Sequence, residues 1–246
     1  MIEINTIYNE SNAETMSRMD DNSIDLIVTS PPYNKTGFRN GNKGHSNLWN
    51  ADMNYDSYND EMIESDYWKW QNELFNEFNR ILKPSGSLFY NHKVRRYEGK
   101  AHHPLTELQA NKMHFYQQII WDRGASVDNN LQYLQPTTEL ILWFVKDKPK
   151  VNKNNAFLKT EVWNIAPENN NEHPAPFPLK MVTNCILLAT ERGDTVYDPF
   201  MGSGTTAIAC IKSLRHYVGS ELSRNYCRMA AMRIKPYVEQ TNLFNE

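Results

Sequence analysis

The sequence predicts an α/β fold with a doubly wound, mostly parallel sheet, and three features carry that prediction. Short apolar runs alternate with amphipathic helical stretches over most of the chain. One of those runs, Asp25-Leu26-Ile27-Val28, ends in Thr29-Ser30-Pro31-Pro32-Tyr33-Asn34. Another, Thr195-Val196-Tyr197, ends in a glycine-rich turn that opens a helical pattern.

The elements follow in order. Asp25 to Val28 reads as a buried strand that stops at Pro31-Pro32, because proline removes the ladder donor and fixes φ. Residues 35–60 are rich in Asn, Gly, Asp and Ser, and read as a long loop of the kind that is functional or disordered. Tyr67, Trp70, Leu74, Phe75, Phe78, Ile81 and Leu82 recur at helical spacing until Lys83-Pro84-Ser85-Gly86 stops the helix. Ser87 to Tyr90 reads as a strand, Leu105 to Met113 as a weaker helix, and Tyr116 to Trp121 as another strand. A polar segment, Asp122 to Pro136, leads to an apolar strand at Leu140 to Val145. Residues 146–173 read as irregular. Leu179 to Thr190 is helical, Thr195 to Tyr197 a strand, Thr205 to Ser213 a helix and Tyr217 to Glu221 a strand. Asn225 to Ile234 closes the pattern as a helix that ends before Pro236.

Composition bounds the function. A chain of 246 residues can bury one substantial core, and the simplest organisation is one domain spanning 1–246. A net charge of -3 advertises no bulk basic field, so a nucleic-acid site must be a local patch. Cys185, Cys210 and Cys227 lie in apolar helical contexts without a Cys-x-x-Cys pair, which suits buried thiols in a reducing cytoplasm better than zinc. The N-terminus is no signal peptide and no apolar run has the length of a bilayer span. A soluble intracellular protein is expected.

The glycine-rich turn is Asp198-Pro199-Phe200-Met201-Gly202-Ser203-Gly204-Thr205-Thr206. After a strand and before a helix, Gly202 and Gly204 let the backbone approach a ligand, and Thr205-Thr206 are placed to cap the helix. The spacing excludes a triphosphate-cradling loop and lacks the third glycine of a dinucleotide fingerprint. Glu221, at the end of the next strand, is placed to accept hydrogen bonds from ribose hydroxyls.

Together, Val28-Thr29-Ser30-Pro31-Pro32-Tyr33 and Asp198-Pro199-Phe200-x-Gly202-x-Gly204-Thr205-Thr206 resemble the DNA amino-methyltransferases. That family methylates exocyclic amines of adenine or cytosine in DNA. The tetrapeptide precedes the glycine turn, which resembles the circularly permuted motif order of the family's β group. Asp21 to Ile27, Leu82-Lys83-Pro84-x-Gly86, Ile120-Trp121-Asp122, Glu139 with Trp143-Phe144-x-Lys146, and His173 to Pro178 also look like family segments.

The resemblance implies a Rossmann-like methyltransferase fold that uses S-adenosylmethionine, with no metal because the sulfonium is already activated. An exocyclic amine is a poor nucleophile whose lone pair is delocalised into the ring. By resemblance, the Ser30 side chain and the Pro31 carbonyl accept its two N–H groups and turn the lone pair towards the methyl donor. Ser30, preceding a proline, is driven to an extended conformation, and Pro31-Pro32 fix the carbonyl direction. Tyr33 stacks on the flipped base. The resemblance also implies that Ser30, Phe177, Asp198, Pro199, Phe200, Gly202, Gly204, Thr205, Thr206 and Glu221 contact the cofactor. Ser11 stands where the family often carries an acid that binds the adenine amine.

Ser30 leans the target towards N4 of cytosine, since the family's adenine enzymes more often carry Asp there, while N6 of adenine is the alternative. A related methyltransferase of glutamine or RNA is disfavoured by the order of the two motifs. A catalytically silent DNA-binding subunit is a further reading. Duplex DNA is the implied partner, with Asn34, Lys35, Arg39, Lys43, Lys93, Arg95 and Arg96 expected to contact it; Lys100, His102 and His103 are further candidates. Recognition is expected in short loops at about 35–65, 122–136 and 147–172. A homodimer and a cognate restriction endonuclease are the other partners the resemblance allows.

Overall fold

The computed structural model describes residues 2–34, 62–97, 99–109, 112–124, 134–152, 160–168 and 177–243. In chain order the elements are β1 (Thr6–Tyr8), α1 (Asn12–Ser17), β2 (Ile24–Thr29), α2 (Glu64–Ile81), β3 (Leu82–His92), β4 (Arg95–Tyr97) and β5 (Lys100–His102). They continue with α3 (Pro104–Glu107), β6 (His114–Asp122), β7 (Thr138–Val145), β8 (Val162–Asn164), α4 (Leu179–Ala189) and β9 (Thr195–Asp198). The chain then forms α5 (Thr205–Ser213), β10 (His216–Ser220) and α6 (Arg224–Leu243).

Among the described residues, eight strands form one sheet in the order β1-β10-β9-β2-β3-β7-β6-β8, and β4 pairs with β5 in a separate hairpin. Every pairing in the large sheet is parallel except those of β7 with β3 and β6. The doubly wound, mostly parallel sheet expected from the sequence is therefore present.

Residue alternation along β2 divides the core between two faces. Leu26 and Val28 pack with Met181, Cys185, Ala207 and Ala230, which come from α4, α5 and α6. Ile27 packs on the other side with Met16, Tyr67, Phe75 and Phe78 from α1 and α2. The β2–α2–β3 and β9–α5–β10 crossovers run in opposite directions along the sheet. Right-handed crossovers then require their helices on opposite faces, as observed. Burial on both faces explains why these strands read as continuous apolar runs.

Several local expectations are corrected. Leu105 to Met113 is not a full helix: α3 spans Pro104–Glu107, and Gln109 donates its N–H to the Asn72 side chain at 2.5 Å. Short β8 interrupts the segment expected to be irregular, and β1, α1 and the β4–β5 hairpin are additions. The last helix runs through Pro236, because proline removes a bond to the Met232 carbonyl on a turn whose side chain is 70% exposed. The Lys83-Pro84-Ser85-Gly86 break survives in another form. Ile24 pairs with Leu82 and Leu26 with Ser87, so the intervening residues bulge out of β3. There the carbonyls of Pro84 and Ser85 accept from Asp147 and Lys150.

Candidate active site

The site forms where β2 and β9 lie side by side. Leu26 pairs with Val196 and Ile27 with Tyr197 in parallel register, so both strands release their chains at the same edge. From there one connection leads through α2 to β3 and the other through α5 to β10, on opposite sides of this pair. Such a divergence opens a crevice outside the carboxyl ends of the strands. The tetrapeptide Ser30-Pro31-Pro32-Tyr33 lies on one wall and the glycine turn on the other.

The tetrapeptide is held from beneath. Pro31 and Pro32 are buried, and Ser30 and Tyr33 are half-buried. The Tyr67 hydroxyl lies 3.0 Å from the Pro32 carbonyl and 2.8 Å from His92 Nε2. His92 Nδ1 faces the Lys93 carbonyl at 2.8 Å, so Nδ1 carries the proton and Nε2 is an acceptor. Burial pushes the His92 pKa down to about 3, which keeps the ring neutral. No hydrogen bond reaches the Pro31 carbonyl among the described residues, which leaves that acceptor available.

A polar network surrounds the Tyr33 hydroxyl. It lies 3.1 Å from Ser30 Oγ, 2.8 Å from Asn91 Oδ1 and 3.1 Å from Glu139 Oε2. Ser30 Oγ also donates to Asn91 Oδ1 at 3.2 Å, while Asn91 Nδ2 donates to the Leu140 carbonyl at 3.0 Å. Arg123 holds the other oxygen of Glu139 at 2.8 Å. Burial first, and then the Glu139 charge, push the Tyr33 pKa well up, so this phenol stays protonated. Its ring meets His92 at 4.9 Å and Lys93 Nζ at 5.3 Å. Sequence reasoning missed Asn91 and His92 and gave Tyr67, Arg123 and Glu139 no role in the site. A usable signal was there: Asn91-His92 are polar residues ending an apolar strand beside Ser30.

On the opposite wall, the glycine turn is docked onto β10 and α6. Met201 donates to the Ser220 carbonyl at 2.9 Å, and its side chain lies where a Cβ on Gly219 would come within 2.4 Å. Arg233 donates to the Ser203 carbonyl at 2.7 Å and also to the Ser203 hydroxyl. Gly204 has φ +84°, and a Cβ there would stand 2.9 Å from the Ala230 Cβ. Gly204, not Thr205 or Thr206, is the N-cap of α5, and no side chain caps it. Thr206 instead donates to Asp198 Oδ2 at 2.6 Å, while Phe200 N–H donates to Asp198 Oδ1 at 3.0 Å. Burial raises the Asp198 pKa to about 7 against those two bonds.

Glu221 follows β10 and closes the turn from the side. Its carboxylate accepts from Gly202 N–H and Ser223 N–H, each at 2.8 Å, and burial raises its pKa. Each oxygen keeps lone pairs for another donor. Phe200 packs edge-on against Trp70 at 5.7 Å, and Trp70 meets Tyr67 at 6.0 Å. Those rings connect the glycine turn to the tetrapeptide. Pro199 lies in the turn beside Phe200, and Phe177 is half-buried just ahead of α4. Ser11 reaches the same edge through β1, but its hydroxyl caps α1, accepting from Glu14 N–H at 3.2 Å and donating to Glu14 at 2.7 Å.

Two expected DNA contacts are corrected. Asn34 is fully buried: its amide donates to the Met62 carbonyl and accepts from Met62 N–H, both at 2.9 Å. Arg95 is also buried, ion-paired with Glu64 and donating to the Asn34 carbonyl at 2.6 Å. Both residues therefore pin the backbone behind Tyr33 instead of facing a ligand. Lys93 is half-buried, and Arg96 and Lys100 are exposed, whereas Lys35, Arg39 and Lys43 lie outside the described residues. His102 pairs with Glu107 at 3.1 Å, and His103 accepts from Leu105 N–H. Of the recognition segments expected at 35–65, 122–136 and 147–172, residues 35–61, 125–133, 153–159 and 169–172 lie outside the described residues, and β8 falls within the third segment. No helix among the described residues is long and apolar enough to cross a membrane.

Comparison with known proteins gives the family and the fold. Residues 24–232 match the family model described as DNA methylase, of the N6/N4 methyltransferase type. The chain is 28% identical to the type II methyltransferase M.BglII of Bacillus subtilis, over 98% of this chain and 72% of the relative. Among solved structures, the cytosine-N4-specific PvuII DNA methyltransferase superposes with a TM-score of 0.73 at 20% identity, covering 93% of this chain and 85% of that one. A DNA modification methylase from Thermus thermophilus, in complex with S-adenosyl-L-methionine, gives 0.66 at 22% identity, covering 94% and 93%.

Proposed function

The chain belongs to the N6/N4 DNA methylase family, and from that premise we propose that it methylates N4 of a cytosine flipped out of duplex DNA, using S-adenosylmethionine. The observation that carries this reading is the crevice between β2 and β9, which sets Ser30-Pro31-Pro32-Tyr33 against the Asp198–Thr206 turn.

The donor set of the turn suits a nucleoside joined to an amino acid. Glu221 has acceptor capacity left for ribose hydroxyls, and Asp198, Phe200 and the turn backbone at Gly202 and Gly204 offer a carboxyl group, an apolar face and close approach. S-adenosylmethionine supplies a methyl group already activated on a sulfonium. Pro199, Thr205, Thr206, Phe177 and Ser11 stand around the same edge and complete the pocket we assign to it.

On the other wall, Ser30 Oγ and the Pro31 carbonyl accept the two N–H groups of the target amine. That arrangement makes its nitrogen more pyramidal and exposes the lone pair. The gain comes from proximity and fixed dipoles and needs no covalent intermediate. Tyr33, its hydroxyl anchored to Asn91 and Glu139, presents a ring for stacking on the extruded base. Lys93 and Arg96 are the described cations we assign to DNA phosphates, with the remaining contacts in the segments at about 35–65, 122–136 and 147–172.

The test is transfer of labelled methyl from S-adenosylmethionine to unmodified duplex DNA by the purified protein. Incorporation that Ser30→Ala abolishes supports the reading. No incorporation by a folded protein that binds the cofactor contradicts it.

A further inference from the structure

The geometry points to Glu139 as the distant end of a hydroxyl chain that removes the amine proton during methyl transfer. This inference rests on the methyltransferase reading above. Ser30 Oγ stands 3.1 Å from Tyr33 Oη, and Tyr33 Oη stands 3.1 Å from Glu139 Oε2. Those are two successive hydrogen bonds between a catalytic hydroxyl and a carboxylate. Glu139 is only 8% exposed, and its other oxygen is bound by Arg123 at 2.8 Å.

The chemistry of the site calls for such a group. As the N–CH3 bond forms and the donor's C–S bond breaks, leaving its electron pair on sulfur, the amine nitrogen becomes cationic. It regains neutrality by losing one proton. Ser30 is a neutral acceptor, Asn91 beside it is a neutral amide, and the His92 ring, kept neutral by burial, has its Nδ1 proton on the Lys93 carbonyl and its Nε2 against the Tyr67 hydroxyl. Glu139 is the carboxylate connected to Ser30 through hydroxyls. The amine proton passes to Ser30 Oγ, the Ser30 proton moves to Tyr33 Oη, and the Tyr33 proton moves to Glu139 Oε2. The carboxylate ends as a neutral acid and both hydroxyls are restored.

Asn91 gathers the two hydroxyls at rest. Its Nδ2 is committed to the Leu140 carbonyl, so its Oδ1 lies 3.2 Å from Ser30 Oγ and 2.8 Å from Tyr33 Oη and competes for their protons. The relay runs when each hydroxyl turns its proton along the chain, Ser30 to Tyr33 and Tyr33 to Glu139. Tyr33 thereby has a second task besides stacking, one that its ring alone cannot perform. Glu139 acts through Tyr33 and is a positioning and charge-balancing residue; it does not touch the base.

Glu139→Gln, Tyr33→Phe, their double variant and Glu139→Asp separate this role from a structural one. Single-turnover methyl transfer to unmodified DNA is measured with cofactor affinity by calorimetry and thermal melting. In Glu139→Gln and Tyr33→Phe the rate is expected to fall about 100-fold or more. Cofactor affinity should stay within about twofold. The double variant should lose no more than the worse single variant, because the groups act in series, and Glu139→Asp should recover part of the rate. A wild-type rate in Glu139→Gln, losses that multiply in the double variant, or a rate loss matched by lost cofactor affinity and melting temperature would each overturn the relay. If the wild-type protein transfers no methyl to DNA, the methyltransferase reading falls first and the relay falls with it.

Discussion

Ile27 of β2 and Tyr197 of β9 face each other in parallel register, although about two thirds of the chain's length separates them in sequence. This pairing makes one site from two distant motifs. Strand edges fix backbone positions more firmly than loops do, so the tetrapeptide and the glycine turn inherit a defined separation. The groups around that crevice can each be tested by substitution or by pH.

Tyr33→Ala removes the stacking face and the hydroxyl but touches nothing on the glycine turn. Cofactor affinity is expected to remain, while turnover falls by at least the roughly 1–3 kcal/mol that base stacking contributes. Calorimetry and methyl-transfer kinetics on the same preparation check both halves. A wild-type rate contradicts the role given to Tyr33.

Gly204→Ala places a side chain where φ is +84° and Ala230 stands 2.9 Å from the new Cβ. The left-handed conformation alone costs about 1–2 kcal/mol for a residue with a Cβ. The turn must shift, so cofactor affinity is expected to fall about tenfold or more. An unchanged affinity would show that the turn does not hold the cofactor.

Arg95→Met separates a structural cation from a DNA contact. The Arg95 side chain is 1% exposed and paired with Glu64, so removing it leaves a buried charge and lowers stability by roughly 3–5 kcal/mol. Chemical denaturation measures that loss. The salt dependence of DNA binding should not change, because no phosphate contact is removed. Unchanged stability with a shallower salt slope would return Arg95 to the DNA surface.

Asp198 should make stability depend on pH. Burial raises its pKa from the ordinary 3.8 to about 7 in the folded protein. The fold therefore favours the protonated acid, and its contribution is fully present below about 4 and is lost as pH rises towards 7. The stability of the wild-type protein relative to Asp198→Asn should fall between pH 4 and pH 7 and level off above it. Urea unfolding at several pH values measures this difference, and a flat difference contradicts the assignment.

Much of this architecture was legible in the sequence, for physical reasons that differ between elements. Helix α5 begins at Thr205 and ends at Ser213 as read, because a glycine turn starts it and its apolar residues keep helical spacing. Strand β2 was legible because burial on both faces makes it continuously apolar. β1 and α1 were not: three residues at a sheet edge and six in a capped turn are too short for a periodic signal. The site divides in the same way. Ser30-Pro31-Pro32-Tyr33 and the glycine turn are local motifs, whereas Asn91, His92 and Glu139 join the site only through the registers of β3 and β7. Asn34 and Arg95 misled for the converse reason. A polar residue beside a motif looks like a contact until its partners, Met62 and Glu64, are known.

The most direct test is mass spectrometry of nucleosides from unmodified duplex DNA incubated with the protein and S-adenosylmethionine. N4-methylcytosine is the predicted product, absent with Ser30→Ala. N6-methyladenine would contradict the base assigned to Ser30, and no methylated nucleoside from a folded, cofactor-binding protein would contradict the account as a whole.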